Sequence, residues 1–119
     1  MNNVTVDDMP FRKRASKPKV KERASYGRES QFQKDVLDYL ETIGAVAFKV
    51  SRANVNGVSD IIACYKGTFV AIEVKLPYNH ATDLQEWFLS NVESSGGVGM
   101  VLYPDTNWIE IINRKLGGI

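Results

Sequence analysis

Two apolar, β-rich runs, residues 60–65 and 68–75, are separated only by Lys66 and Gly67. A two-residue break ending in glycine predicts a tight β-hairpin, although lysine is a weaker first turn residue than Asn or Asp. Such a turn also fixes the register. Tyr65 then faces Thr68, and counting back along both strands sets Asp60 directly opposite Glu73. Strand side chains alternate with period two, so Glu73 and Lys75 share a face, and cross-strand pairing brings Asp60 to that same face. Two carboxylates and an ammonium group converge at one end of a hairpin that is otherwise largely apolar. Folding alone does not require this.

Carboxylates held side by side raise one another's pKa unless a cation neutralises them. Hard oxygen ligands with room left for water suit Mg²⁺, with Mn²⁺ as a substitute. A nearby ammonium can stabilise charge developing on phosphate oxygens, or orient and deprotonate an attacking water. Asp60, Glu73 and Lys75 in this geometry therefore describe metal-assisted phosphodiester hydrolysis, with Asp60 and Glu73 as metal ligands. The competing reading is a surface Glu–Lys pair with Asp60 capping a strand.

The rest of the chain supplies a setting for the hairpin. Phe32, Val36, Leu40 and Ile43 recur at three- to four-residue spacing and predict a helix over residues 29–43, ended by Gly44. Residues 45–50 read as a strand and 51–59 as a flexible loop. Leu84, Trp87, Phe88 and Val92 mark a second helix, which Gly96 and Gly97 should end. Residues 98–103 read as another strand, and 108–112 as a short last one. The expected order is αβββαβ, with a possible final strand. That is an α/β fold with a mixed central sheet flanked by helices. Cys64, within an apolar run, is expected to be a core thiol, and Trp87 and Phe88 are expected in the core.

The segments Asn56-Gly57-Val58-Ser59-Asp60-Ile61-Ile62 and Ile72-Glu73-Val74-Lys75 resemble the PD-(D/E)XK nuclease superfamily. The closer likeness is to the VRR-NUC group, followed by the archaeal-type and RecU-like Holliday-junction resolvases. It covers about residues 29–103, and Ser59 stands where the family usually has proline. The resemblance implies a restriction-endonuclease-like core and two further site residues. Glu29 matches the acidic residue that the family's first helix often gives to the metal site; it is equally a helix N-terminal acid favoured by the macrodipole. Gln85 matches the family's glutamine on the helix after the Glu-x-Lys strand. The segment Thr82-Asp83-Leu84-Gln85 also has the form of a capping box, and the two roles are compatible. His80, the only histidine, is either a DNA contact or an exposed loop residue. Lys49 and Arg52 are either phosphate contacts or solvated charges.

Charge is unevenly spread. The formal net charge is +1, yet residues 1–28 carry eight bases against three acids, or +5, and the remainder seven bases against eleven acids, or −4. We expect residues 1–28 to be a basic, disordered arm, with Arg12, Lys13, Arg14, Lys17 and Lys19 binding DNA, ahead of a nuclease domain over 29–119. The bland alternative is a solubilising tail. With 44% apolar residues the body can bury a core. No apolar run is long enough to span a bilayer, and no signal-peptide stretch or cysteine framework is apparent, so an intracellular protein is expected. No base-reading motif is present, which favours readout of DNA structure such as a junction or flap. The size and the resemblance together suggest a homodimer. The alternatives are a non-catalytic DNA-binding or partner-binding module retaining the fold, and a subunit that needs a helicase or other partner.

Overall fold

The computed structural model describes residues 28–118. The basic arm, with Arg12, Lys13, Arg14, Lys17 and Lys19, lies outside the described residues. The chain runs α1 (Glu29–Thr42), β1 (Val46–Lys49), β2 (Ile61–Tyr65), β3 (Thr68–Val74), α2 (Asp83–Ser94), β4 (Val98–Leu102) and α3 (Trp108–Lys115). The strands form one sheet in the order β1-β2-β3-β4. β1, β2 and β3 are antiparallel neighbours, and β4 returns parallel to β3 after the α2 crossover. This is the αβββαβ mixed-sheet α/β architecture that the sequence predicts.

Lys66 and Gly67 both take positive φ, 49° and 82°, as a two-residue turn matched to strand twist requires. Tyr65 pairs with Thr68 and the ladder runs back to Ile61 opposite Ile72, which is the predicted register. One sheet face carries Ile61, Ala63, Val70, Ile72, Val74, Met100 and Leu102. All are buried beneath Phe32, Val36 and Leu40 of α1 and Trp108 and Ile112 of α3. The Trp108 ring meets Phe32 and Tyr39 edge-on, with centroids 5.5 and 6.0 Å away. α2 covers the other face, seating Leu89 and Val92 on Ala71. A Cβ on Gly99 would lie 3.0 Å from the Leu89 carbonyl oxygen, so the glycine lets helix and strand approach this closely.

Three expectations are corrected. Residues 108–112 are not a strand but the start of α3. Trp108 and Ile112, four apart, are both buried while Glu110 is exposed, which is helical spacing obscured by three isoleucines. The neglected signal was Gly117-Gly118, which closes the helix through bonds to the Arg114 and Asn113 carbonyls. Cys64 is exposed, because α2 packs on β3 and β4 and no other described element covers the β1–β2 half of that face. Trp87 is 60% exposed and Leu84 53% exposed. The buried stripe of α2 is instead Leu89 and Val92, with Gln85 and Phe88 partly buried, so the helix is rotated to turn Gln85 inward.

Candidate functional site

The site forms where β2 begins and β3 ends. Asp60 directly precedes β2, and its carbonyl accepts from the Val50 N–H at 2.8 Å, which extends the β1 ladder by one step. Its own N–H donates to Glu73 Oε1 at 3.2 Å, and its Oδ2 accepts from the Val74 N–H at 3.2 Å. The two acids thus clasp each other's strand, as the hairpin register demands. Glu73 is 1% exposed. Lys75 places Nζ 3.3 Å from Glu73 Oε2, and its backbone N–H donates to the Leu102 carbonyl at 3.0 Å, anchoring it to β4.

Gln85 caps its helix and reaches Glu73 at once. Its backbone N–H donates to Thr82 Oγ1 at 3.2 Å and its Oε1 accepts from the Thr82 N–H at 2.8 Å, which completes the capping box. Its Nε2 then donates to Glu73 Oε2 at 2.9 Å. The amide orientation is decided by these partners, since reversing it would oppose two donors at Thr82 and two acceptors at Glu73. Helix start and acidic pair are joined through one side chain.

Gly57 seats this arrangement from the other side. It has φ 84°, and a Cβ there would stand 2.5 Å from the Leu84 carbonyl oxygen. The loop before Asp60 therefore presses directly on the first turn of α2, a contact with no local signature in the sequence. Gly57→Ala is expected to cost about 2–4 kcal/mol, from a left-handed alanine and a backbone clash together. Denaturant unfolding measures this, and a loss below 1 kcal/mol would mean that the loop yields freely.

Burial is the largest influence on Glu73, followed by the adjacent Asp60 charge and the contact with its carboxyl group. Together they push its pKa up to about 7, against a smaller opposing pull from Lys75. A buried Glu73 beside a half-buried Asp60, with one ammonium between them and solvent, is short of positive charge. Each carboxyl oxygen has two lone pairs; Glu73 Oε2 is occupied by Gln85 and Lys75, so Asp60 Oδ1 and one lone pair each on Asp60 Oδ2 and Glu73 Oε1 remain for a cation. Two carboxylates with space for water is the donor chemistry that Mg²⁺ takes, so these residues fit the metal.

The other predicted residues are more dispersed. Among the described residues no group of three or more His, Cys, Asp or Glu side chains is placed to hold a metal ion, so Glu29, at the start of α1, is not gathered with Asp60 and Glu73. Lys49, opposite Ile61 in the ladder, and Arg52 are exposed near the Asp60 end of the sheet. His80 is exposed in the loop after β3. Ser59 is buried, and its hydroxyl donates to the Ile61 carbonyl at 3.1 Å.

No family model matches the chain, and none of the curated proteins does. Among solved structures it is similar to Hjc, a Holliday junction resolvase from the archaeal hyperthermophile Archaeoglobus fulgidus. The two share 26% identity with a TM-score of 0.49, over 65% of this chain and 70% of that one. No helix among the described residues is long and apolar enough to cross a membrane.

Proposed function

We propose that this chain is a Mg²⁺-dependent endonuclease that hydrolyses DNA phosphodiester bonds and selects branched DNA, a flap or a Holliday junction, by its structure. The observation that carries the reading is the Glu73 carboxylate. It is buried, faces Asp60, and is held by Gln85 at 2.9 Å and Lys75 at 3.3 Å. A fold does not bury an under-neutralised acidic pair for stability, because the desolvation cost outweighs what one ammonium returns.

Asp60 and Glu73 would hold the cation. When bound, Mg²⁺ would polarise the phosphate and acidify water. Lys75 supports the reaction by placing a positive charge where the phosphate oxygens gain negative charge, and by orienting the attacking water. Gln85 fixes the Glu73 rotamer without adding charge. Glu29 enters this proposal as a further acid for the metal, although it stands apart from Asp60 and Glu73 here. Lys49, Arg52 and the basic arm, including Arg12, Lys13, Arg14, Lys17 and Lys19, would meet the phosphates flanking the cut.

The direct test incubates the protein with a four-way junction, a flap and a linear duplex, in Mg²⁺ or in EDTA. Cleavage in Mg²⁺ alone, faster on the branched substrates, is the expected result. Binding without cutting in either Mg²⁺ or Mn²⁺ would overturn it in favour of a non-catalytic module.

A homodimer is part of the same proposal, and the half of the α2 face that the described residues leave uncovered supports it. Val46 and Phe48 project from the edge strand β1, with Phe48 55% exposed and Phe69 47% exposed on the same sheet face. Phe48→Glu is expected to halve the sedimenting mass while the melting temperature of the domain holds. An unchanged mass would place any dimer contact elsewhere.

A further inference from the structure

The loop between Lys75 and α2 holds a residue that the fold would be more stable without. The Asn79 N–H donates to the Leu76 carbonyl at 3.1 Å and closes a turn with Pro77 second and Tyr78 third. Proline followed by a positive φ is the form of a type II turn, whose third position favours Gly or Asn. Here Tyr78 occupies it at φ 74°, a left-handed conformation that disfavours side chains other than Asn and Asp. Its ring offsets none of this strain by packing, being 95% exposed. Strain kept for a side chain that buries almost none of its surface against the described residues points to a contact outside them.

A cleft of about 500 Å³ lies beside it, bounded by Tyr78, Asn79, His80, Tyr103 and Asp105 among others. It sits beyond the carboxyl ends of β3 and β4, which run parallel. Ligands of open α/β sheets bind at such strand ends. The bond from the Lys75 N–H to the Leu102 carbonyl ties the two walls of the cleft together and to the candidate site. Thr106 is committed, its hydroxyl donating to the Tyr103 carbonyl at 2.6 Å. The Asn79, His80 and Asp105 side chains make no hydrogen bond or ion pair with the described residues. The lining holds one carboxylate and neither lysine nor arginine, so it is unsuited to a phosphate. Aromatic rings with an amide, an imidazole and a carboxylate instead match a nucleobase, which offers a face to stack and an edge of donors and acceptors.

We propose that the Tyr78 cleft receives an unpaired nucleobase from the strand whose phosphodiester lies at Asp60 and Glu73. The inference rests on the nuclease reading and supplies its selectivity. A base freed at a branch point can leave the duplex stack and lie on Tyr78, whereas a fully paired base must first be unstacked. Discontinuity of the helix, not sequence, becomes the recognised feature.

The test measures binding in EDTA at low salt to a flapped duplex and to a fully paired duplex of equal length. A 2-aminopurine at the first unpaired position reports stacking, and cleavage in Mg²⁺ is followed separately. Wild type and Tyr78→Phe are expected to quench the probe and prefer the flap. Tyr78→Gly is expected to lose the quenching and about ten-fold in flap affinity, the scale of one base–aromatic stack. Its duplex affinity should hold, and its melting temperature should rise as strain is relieved. Unquenched probe on wild type, flap binding by Tyr78→Gly equal to wild type, or equal losses on both DNAs with a lowered melting temperature would each overturn the proposal. Cleavage with no Tyr78 effect defeats this inference alone. A Tyr78 effect without cleavage defeats only the nuclease reading.

Discussion

Glu73→Gln is expected to abolish DNA cleavage, by about a thousand-fold or more, and yet to melt later than wild type when both are metal-free at pH 8. The loss follows from removing half of the acidic pair that would hold the cation. The gain follows from the pKa of about 7 that burial and Asp60 impose on Glu73. An unfolded glutamate ionises near 4.5, so between pH 4.5 and 7 the folded chain binds the extra proton. Stability conferred by that proton is complete below pH 4.5 and is lost as pH rises through 7. Above pH 7 the ionised carboxylate costs roughly 3 kcal/mol. Glutamine avoids the charge but cannot accept from the Asp60 N–H, Gln85 and Lys75 together, which returns about 1–2 kcal/mol. The balance is about 1–2 kcal/mol in favour of the variant, or roughly 5–10 °C in a domain of this size. At pH 5 the advantage should vanish. Mg²⁺ should reverse it at pH 8, because only the wild type gains binding energy from the metal. Calorimetry at the two pH values, with and without Mg²⁺, checks each sign, and a difference independent of pH would remove the buried charge from the account.

The acidic pair was legible because its geometry is local. Two residues of turn set the register of the whole hairpin, and the register sets Asp60 against Glu73 with no knowledge of anything further along the chain. Gln85 was legible in two separate roles, as a capping residue and as a site residue. What joins them is tertiary, the roll of α2 that lets one amide face both Thr82 and Glu73. The same roll explains why Trp87 and Leu84 are exposed. An apolar pattern states that a helix has a buried stripe, but the partner on the sheet chooses which stripe, and here a polar contact overrides the larger side chains. Cys64 failed for a related reason. A β-rich run indicates burial on two faces, whereas α2 spans only β3 and β4, and nothing in the local sequence tells how far a helix reaches across a sheet. The close approach of Gly57 to Leu84 joins positions 27 residues apart and has no local signature. Tyr78 illustrates the opposite limit, since turn preference argues against a tyrosine there and its presence becomes informative only once the positive φ and the adjacent cleft are known.

Lys75→Met is expected to reduce cleavage by about 10²–10⁴-fold, the range for a positioned charge or proton-transfer group. Unlike Glu73→Gln, it should also destabilise the metal-free protein at pH 8. The ammonium 3.3 Å from Glu73 Oε2 is the charged group that pulls the carboxyl pKa down, against burial and Asp60, which push it up. Removing it leaves two acids facing each other without a cation. Lys75 retains 15% side-chain exposure, so water screens part of the loss and about 1–2 kcal/mol is the expected scale. At pH 5, where Glu73 holds its proton, most of that penalty should disappear. With Glu73→Gln the carboxylate that Lys75 contacts is already gone, so removing the lysine as well costs less than it does in the wild type. The two stability effects should therefore fail to add, by a coupling of about 1 kcal/mol that shrinks at low pH. Lys75→Arg separates the two ways in which the lysine could act. A guanidinium keeps the positive charge but cannot give up a proton at neutral pH. If Lys75 acts only through its charge, Lys75→Arg should recover stability at pH 8 and a substantial part of the cleavage rate. If it draws a proton from water, stability should return while cleavage stays as low as in Lys75→Met. Recovery of neither would mean that the planar fork does not fit beside Glu73, and Lys75→Met would then carry the test alone.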